Sequence, residues 1–187
     1  LTLVAVNVGE SVGGSLRRLA LLAPRGRVFG TGPNDFQVNK TAATAGVVAA
    51  ASDPAWRLRV TGVRTLTLSR RALMSELPQR SHTITLGCVE GWSTTQHWTG
   101  VRLADLAALV GAPAGASVLV QSLQNGGGYS QLTLAPAQLN DPRTLLALCV
   151  NGADLSLDHG YPARIIAPAI PGVHCLKWVK SLTFASV

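Results

Sequence analysis

Thr85-Leu86-Gly87-Cys88-Val89-Glu90-Gly91-Trp92-Ser93 carries an apolar run into a loop of glycine, tryptophan and serine, with a cysteine at the junction. From Ser81 to Val89 the chain alternates, Ile84, Leu86 and Cys88 on one side and Thr83, Thr85 and Gly87 on the other, which is the pattern of a short half-buried strand. Cys88 then stands where rigid backbone gives way to loop. From the residues alone the thiol is either a small buried hydrophobe, since unpaired cysteine is among the most buried residue types, or a group presented for chemistry at a strand's mouth.

The remainder of the chain reads as support for that stretch. Trp56 to Thr61 alternates as a strand after a linker at Ala49 to Pro54, and Ser69 suits the cap of a short helix that runs to Leu77 and stops before Pro78. Leu103, Leu106, Ala107 and Val110 recur at helical spacing, and Gly111 closes that helix. Ser117 to Leu123 and Leu145 to Val150 are apolar strands, and Asn151-Gly152 is a hairpin-type turn. A last apolar strand runs to Phe184.

Several loops between these elements can approach a bound group. Gly30 to Asn39 offers backbone and amide donors, although the same composition suits an ordinary surface turn. Asn125-Gly126-Gly127-Gly128 lets the backbone come close to a ligand but lacks the Lys-Ser/Thr of a Walker loop. Arg164 opens the run Ile165 to Ala167, and a guanidinium there would suit an anion through paired hydrogen bonds. The turn Pro171-Gly172 presents successive amides ahead of Lys177, a combination that suits a phosphate. His159 and His174 add donors of the same type.

Composition narrows the class. With 187 residues, 47% hydrophobic and 13% charged, the chain is long enough for one domain with a substantial core. The net charge of +7 arises from 16 basic against 9 acidic residues. The basic residues are scattered singly or in pairs such as Arg17-Arg18 and Arg70-Arg71, without a recognition helix or aromatic interleaving, which argues against nucleic acid as a partner. Cysteines at 88, 149 and 175 have neither CxxC spacing nor an even count, so zinc, iron–sulfur and disulfide-framework readings are weak, while a Cys149–Cys175 pair stays open. The run Leu1 to Val8 is too short to span a membrane.

Gly91-Trp92-Ser93 after the cysteine, then Trp98-Thr99-Gly100-Val101, Leu103 to Leu106, Gly128-Tyr129, Val150-Asn151-Gly152, His159 to Arg164 and Lys177-Trp178-Val179, together resemble the molybdopterin-binding oxidoreductase domain of the sulfite oxidase family. The resemblance runs from about Asn34 onward. It implies a mixed α+β fold, a single sulfite-oxidase-type domain of mixed sheets and short helices over residues 31–187. Residues 1–30 would be an N-terminal extension, with Leu16 to Leu22 and the Pro24 to Arg27 turn following a membrane anchor. It further implies a molybdenum–molybdopterin cofactor, with Cys88 as the only protein ligand to the metal, Tyr129 facing the metal pocket, and Asn34, Gln37, Val38, Ser122, His159, Arg164, His174, Cys175, Leu176 and Lys177 on the cofactor. Asn39 competes with Asn34 for its place, and a core aromatic competes with the catalytic reading of Tyr129.

The implied reaction is oxygen-atom transfer by an oxidoreductase. Where sulfite oxidases carry an arginine-bearing loop after the cysteine, this chain has Val89-Glu90-Gly91-Trp92. That pattern is more similar to the branch containing bacterial protein-methionine-sulfoxide reductase and membrane-anchored relatives. The expected substrate is thus a neutral sulfoxide in preference to sulfite. Expected partners are a small-molecule or methionine-sulfoxide substrate and a separate electron-transfer protein or membrane haem segment, in an extracytoplasmic, membrane-anchored setting. Two other classes compete: a metal-free binding domain that keeps the fold, and a cysteine-nucleophile hydrolase, which lacks a Cys/His signature.

Overall fold

The computed structural model describes residues 34–88, 92–127 and 129–186. The N-terminal readings at Leu16 to Leu22 and Pro24 to Arg27, the acidic loop at Val89 to Gly91, and Gly128 lie outside the described residues.

Strands dominate the chain and helices are short. In order run α1 (Val48–Ser52), β1 (Arg57–Thr61), β2 (Thr65–Ser69), α2 (Arg70–Ser75), β3 (Arg80–Gly87), β4 (Ser93–Arg102), α3 (Leu103–Leu109), β5 (Ser117–Ser122), β6 (Gln131–Leu134), α4 (Pro136–Asn140), β7 (Leu145–Val150), β8 (Ala153–Asp154), β9 (Arg164–Ile166) and β10 (Val179–Ala185). One-turn 3₁₀ segments at Leu157–His159 and Gly172–His174 precede β9 and β10. This is the mixed α+β architecture expected.

The strands form two five-stranded sheets, one ordered β2-β1-β10-β5-β6 and the other β3-β4-β7-β8 with β9 also on β7. Among the described residues only the β1–β10 pairing is parallel, so the first sheet is mixed. β7 explains its own composition: Leu146 and Leu148 enter one apolar cluster while Leu145, Ala147 and Val150 enter another. A strand covered on both faces reads as a continuous apolar run, not as an alternation. At the β4 bulge, a Cβ on Gly100 would lie 2.1 Å from the Leu146 carbonyl oxygen, so no larger residue fits there.

Caps and stops follow the sequence. The Ser69 hydroxyl accepts from the Ala72 amide at 3.0 Å and starts α2. Gly111, at φ +67°, ends the α3 turn. One expectation fails: Ala49 to Pro54 is not a linker, because Val48–Ser52 is helical and Ala51 is fully buried with Ala42, Val47 and Trp178. A run of small apolar residues with good helix formers coils readily once a partner surface exists. The strand at Ser81 to Val89 also stops earlier, at Gly87, where the Cys88 amide turns to donate to the Trp92 carbonyl at 2.8 Å. Among the described residues no helix is long and apolar enough to cross a membrane.

Candidate functional site

Cys88 sits where β3 ends, and the turn at Gly172 lies directly against it. A Cβ on Gly172 would come 2.8 Å from the Gly87 carbonyl oxygen and 3.7 Å from the Cys88 Cα. The segment Phe36 to Lys40 closes the site from the N-terminal side, and the His159 turn, Arg164 and Lys177 complete it. Two adjoining hollows result, of about 340 and 450 Å³. Cys88, Gln37, Trp92, His159 and Arg164 face the smaller, Ser122, Gln124, Tyr129, Cys175 and Leu176 face the larger, and Asn39, Gly172 and Lys177 face both.

Arg164 is 4% exposed, and its fork is held by the His159 carbonyl (Nη1, 2.9 Å) and the Cys175 carbonyl (Nη2, 3.2 Å). The guanidinium carbon lies 5.1 Å from the centre of the Trp98 ring, a cation–π contact. Its Nε has no partner, and among the described residues no carboxylate forms an ion pair with it. Burial pushes its pKa down to about 10. A buried cation without a counter-charge is costly, by several kcal/mol in real proteins.

Lys177 repeats the pattern. Its Nζ donates to the Lys40 carbonyl (2.9 Å) and the Asp158 carbonyl (2.7 Å), and burial, then the nearby Arg164 charge, hold its pKa well below the ordinary lysine value. Asp158 offsets part of that shift. The backbone around Lys177 is fixed on both sides, with Ile165 donating to Leu176, Val179 to Ala163, and the Ser122 hydroxyl to the Lys177 carbonyl at 2.8 Å. Trp178 takes φ +54°, an uncommon conformation for a side-chain-bearing residue, and its indole donates to Leu157 at 2.7 Å.

His159 faces the smaller hollow with its ring tied into the protein. The imidazole is 1% exposed, stacked on Phe36 at 3.6 Å, and its pKa is lowered to about 3, by burial first and then by Arg164 and Lys177. A neutral ring facing the Phe36 carbonyl at 3.1 Å must donate from Nε2, so Nδ1 accepts from the Ser156 hydroxyl at 2.9 Å. Both nitrogens are therefore spent on the protein, where they position the Phe36 segment.

Asn34 likewise binds protein: its amide donates to the Asp154 carbonyl at 2.9 Å and accepts from the Ser156 amide. It lies outside both hollows, whereas Asn39 lines both. Val38 is buried, and neither Val38 nor His174 lines either hollow. The Ser122 hydroxyl, besides donating to Lys177, accepts from the Gln124 amide at 3.1 Å. Tyr129 is 53% exposed at the rim, which excludes the core-aromatic reading. No disulfide joins Cys149 to Cys175: the Cys149 thiol donates to Asp154 at 3.5 Å, and Cys175 is buried against the Ala167 carbonyl.

Phe36, Lys40 and Gln124 escaped the sequence reading. Lys40 donates to the Gln124 side chain at 2.8 Å across the larger hollow. Only the proximity of Lys40 to Asn39, and of Gln124 to the glycine loop, hinted at them.

The oxidoreductase molybdopterin binding domain model matches residues 45–187. The chain belongs to this family. Among its relatives, sulfite oxidase of Arabidopsis thaliana is 36% identical over 99 residues, covering 46% of this chain and 25% of that protein. Mitochondrial sulfite oxidase of Mus musculus is 31% identical over 160 residues, 70% of this chain and 29% of that one. A nitrate reductase [NAD(P)H] of Hordeum vulgare is 36% identical over 104 residues, 51% of this chain and 12% of that one. The chain thus spans about a third or less of these relatives. In fold it is similar to the sulfane dehydrogenase SoxCD from Paracoccus pantotrophus, with TM-score 0.63, 23% identity, and coverage of 72% of this chain and 39% of that chain.

The family implies molybdenum–molybdopterin, and the residues fit it. A buried guanidinium with no carboxylate and an orphaned Nε, a buried lysine, and a glycine turn pressed against the cysteine suit an anionic, thiolate-anchored group.

Proposed function

We propose that this domain is the molybdenum–molybdopterin-binding part of an oxidoreductase that transfers an oxygen atom to or from a small substrate. The observation that carries the reading is Arg164, a buried cation without a carboxylate partner among the described residues, which faces the same hollow as Cys88. Cys88 would supply the protein's soft thiolate ligand. Arg164 and Lys177 would meet the anionic end, and Gln37, Asn39 and the amides about Gly172 would hold the polar edge. When bound, the group supplies a two-electron redox centre; the chain's part is to hold it, orient it and limit water at Cys88.

Other residues act through these. His159, neutral at physiological pH, holds Phe36 and the segment carrying Gln37 and Asn39. Ser122 fixes the Lys177 backbone. Tyr129, exposed at the rim of the larger hollow, would meet an entering substrate or the face of an electron-transfer partner.

For substrate we propose a neutral sulfoxide-type oxygen donor over sulfite, because the sequence Val89 to Trp92 offers no cation and includes Glu90. Electrons would be exchanged with a separate protein or membrane segment. The extracytoplasmic, membrane-anchored setting belongs to the same proposal and rests on resemblance alone.

The test is molybdenum content, followed by steady-state kinetics with an artificial electron carrier, for wild type and Cys88→Ser. Wild type should hold about one metal per chain and Cys88→Ser should lose turnover while keeping its fold. Full turnover in a folded Cys88→Ser protein would remove Cys88 as ligand. Sulfite oxidation with a higher kcat/KM than methionine-sulfoxide reduction would overturn the substrate ordering.

A further inference from the structure

A third concavity of about 580 Å³ shares no lining residue with the paired hollows and is larger than either of them. It opens where the loop before β1, the junction of β2 with α2, and the Tyr161-Pro162 turn meet. Arg57, Arg70 and Arg71 line it, against the single carboxylate of Asp53, whose Oδ1 already accepts from the Ala55 amide at 2.7 Å.

Two of these arginines are held by the fold. Arg70 donates to the Leu148 carbonyl (3.1 Å), the Pro162 carbonyl (3.4 Å) and the Asp154 carboxylate (2.7 Å), and lies 4.9 Å over the Tyr161 ring. Among the described residues Arg57 donates from Nη1 alone, to the Pro54 and Trp56 carbonyls at 3.1 and 2.8 Å, which leaves its Nη2 and Nε donors unspent there. Among the described residues the guanidinium of Arg71 makes no hydrogen bond or ion pair. The Ser69 hydroxyl accepts from Ala72 and keeps its own proton to donate. The wall also includes the Trp56 indole, 7% exposed, whose Nε1–H has no acceptor among the described residues.

Solvated arginines on a convex surface would be held by water and move freely. Here Arg57 and Arg71 are exposed, yet Arg57 is tied to two carbonyls and Arg70 to two carbonyls and a carboxylate, so three guanidinium groups converge on a concavity whose lining carries one carboxylate, Asp53, an excess of donors that suits an anion. From this geometry we infer that the concavity formed by Arg57, Ser69, Arg70, Arg71 and Tyr161 binds the phosphate or carboxylate group of a small molecule. Arg57 and Arg71 make the contact, and Arg70, whose carboxylate and carbonyl partners already occupy it, sets the frame.

The test is nuclear magnetic resonance of the indole and guanidinium N–H signals during titration with inorganic phosphate, and separately with acetate, chloride being adjusted to constant ionic strength. Trp56 reports this concavity, whereas Trp98 and Trp178 report the Arg164–Lys177 site, so the two are read apart. A saturable shift of the Trp56 signal with phosphate, acetate or both is expected. Arg71→Gln, which removes no internal hydrogen bond, should weaken that affinity about tenfold. The stronger of the two anions identifies the group recognised. Absence of a saturable Trp56 shift with either anion up to tens of millimolar, or equal affinity in Arg71→Gln, would overturn the inference.

Discussion

A buried guanidinium with no carboxylate beside it persists only if something else meets its charge. In Arg164 two carbonyls and the Trp98 face do part of this, and the fold supports the remaining cost until an anion arrives. Arg164→Ala therefore has opposed effects. It removes an uncompensated charge, but strips the His159 and Cys175 carbonyls of their donors, at about 1–3 kcal/mol for each unsatisfied group. Its effect on cofactor retention has one sign: loss of a desolvated charge partner weakens binding by roughly 2–5 kcal/mol, so molybdenum content after dialysis should fall sharply. Unchanged occupancy would make Arg164 a structural residue only. His159 gives a second prediction, on acid stability. Its folded pKa of about 3 lies below the ordinary 6.5, so the unfolded chain binds the proton more readily. Stability from the neutral ring is complete above about pH 6.5 and is lost as pH falls toward 3, amounting to roughly 2 kcal/mol by pH 5. Urea unfolding of wild type and His159→Gln at pH 7 and pH 5 checks this. The variant should show the smaller loss on acidification, and equal losses would refute the assignment.

Local pattern was legible where one face of an element meets one environment. β1, α2, α3 and β7 follow from alternation, a serine cap, helical spacing and a two-sided apolar run, and motif context singles out Cys88 and Lys177, which the fold brings to one hollow. What escaped depends on contacts made across the fold. The helix at Val48–Ser52 forms because Trp178, far along the chain, covers Ala51 and Val47. His159 is a neutral clamp because Phe36 and Ser156 take both its nitrogens, and Asn34 lies outside both hollows, which Asn39 lines, because Asp154 and Ser156 claim its amide. None of these partners is near in sequence except Ser156 to His159. The Gly172 turn gives a test at this scale. Its backbone is pressed on Gly87, so Gly172→Ala must push the turn away from Cys88, at about 1–3 kcal/mol for an overpacked contact. Gly87→Ala meets nothing within 4 Å and should change stability by less than about 0.5 kcal/mol. Thermal melts and metal content of the two variants should separate clearly, and equal behaviour would mean the turn is free to shift.

The site is assembled from segments distant in the chain: 36–40 before the first sheet, Cys88 after β3 and Trp92 before β4, His159 before β9 and Arg164 at its start, and 172–178 before β10. Few interactions within any one segment order it, and the segments meet through groups that carry excess positive charge. An anionic cofactor that touches all of them should therefore stabilise the whole molecule beyond the strength of any single contact. If it binds the folded chain alone, the gain is about 2.7 kcal/mol at a ligand concentration a hundredfold above Kd and about 4.1 kcal/mol at a thousandfold. For a domain of this size each kcal/mol raises Tm by roughly 2–4 °C. Loaded protein should thus melt about 5–15 °C above the metal-free and pterin-free form. Cys88→Ser, still able to grip the pterin and its phosphate through Arg164 and Lys177, should keep more of that gain than Arg164→Ala. Hydrogen exchange locates the effect: protection should rise in 36–40 and 172–178, and stay unchanged in β2 and β6 at the edges of the first sheet. A uniform rise across both sheets would show that the cofactor stabilises the fold globally without ordering the site. If loaded Cys88→Ser melted no higher than its empty form, the thiolate would be the main grip, and the charge-pair account of Arg164 and Lys177 would fail.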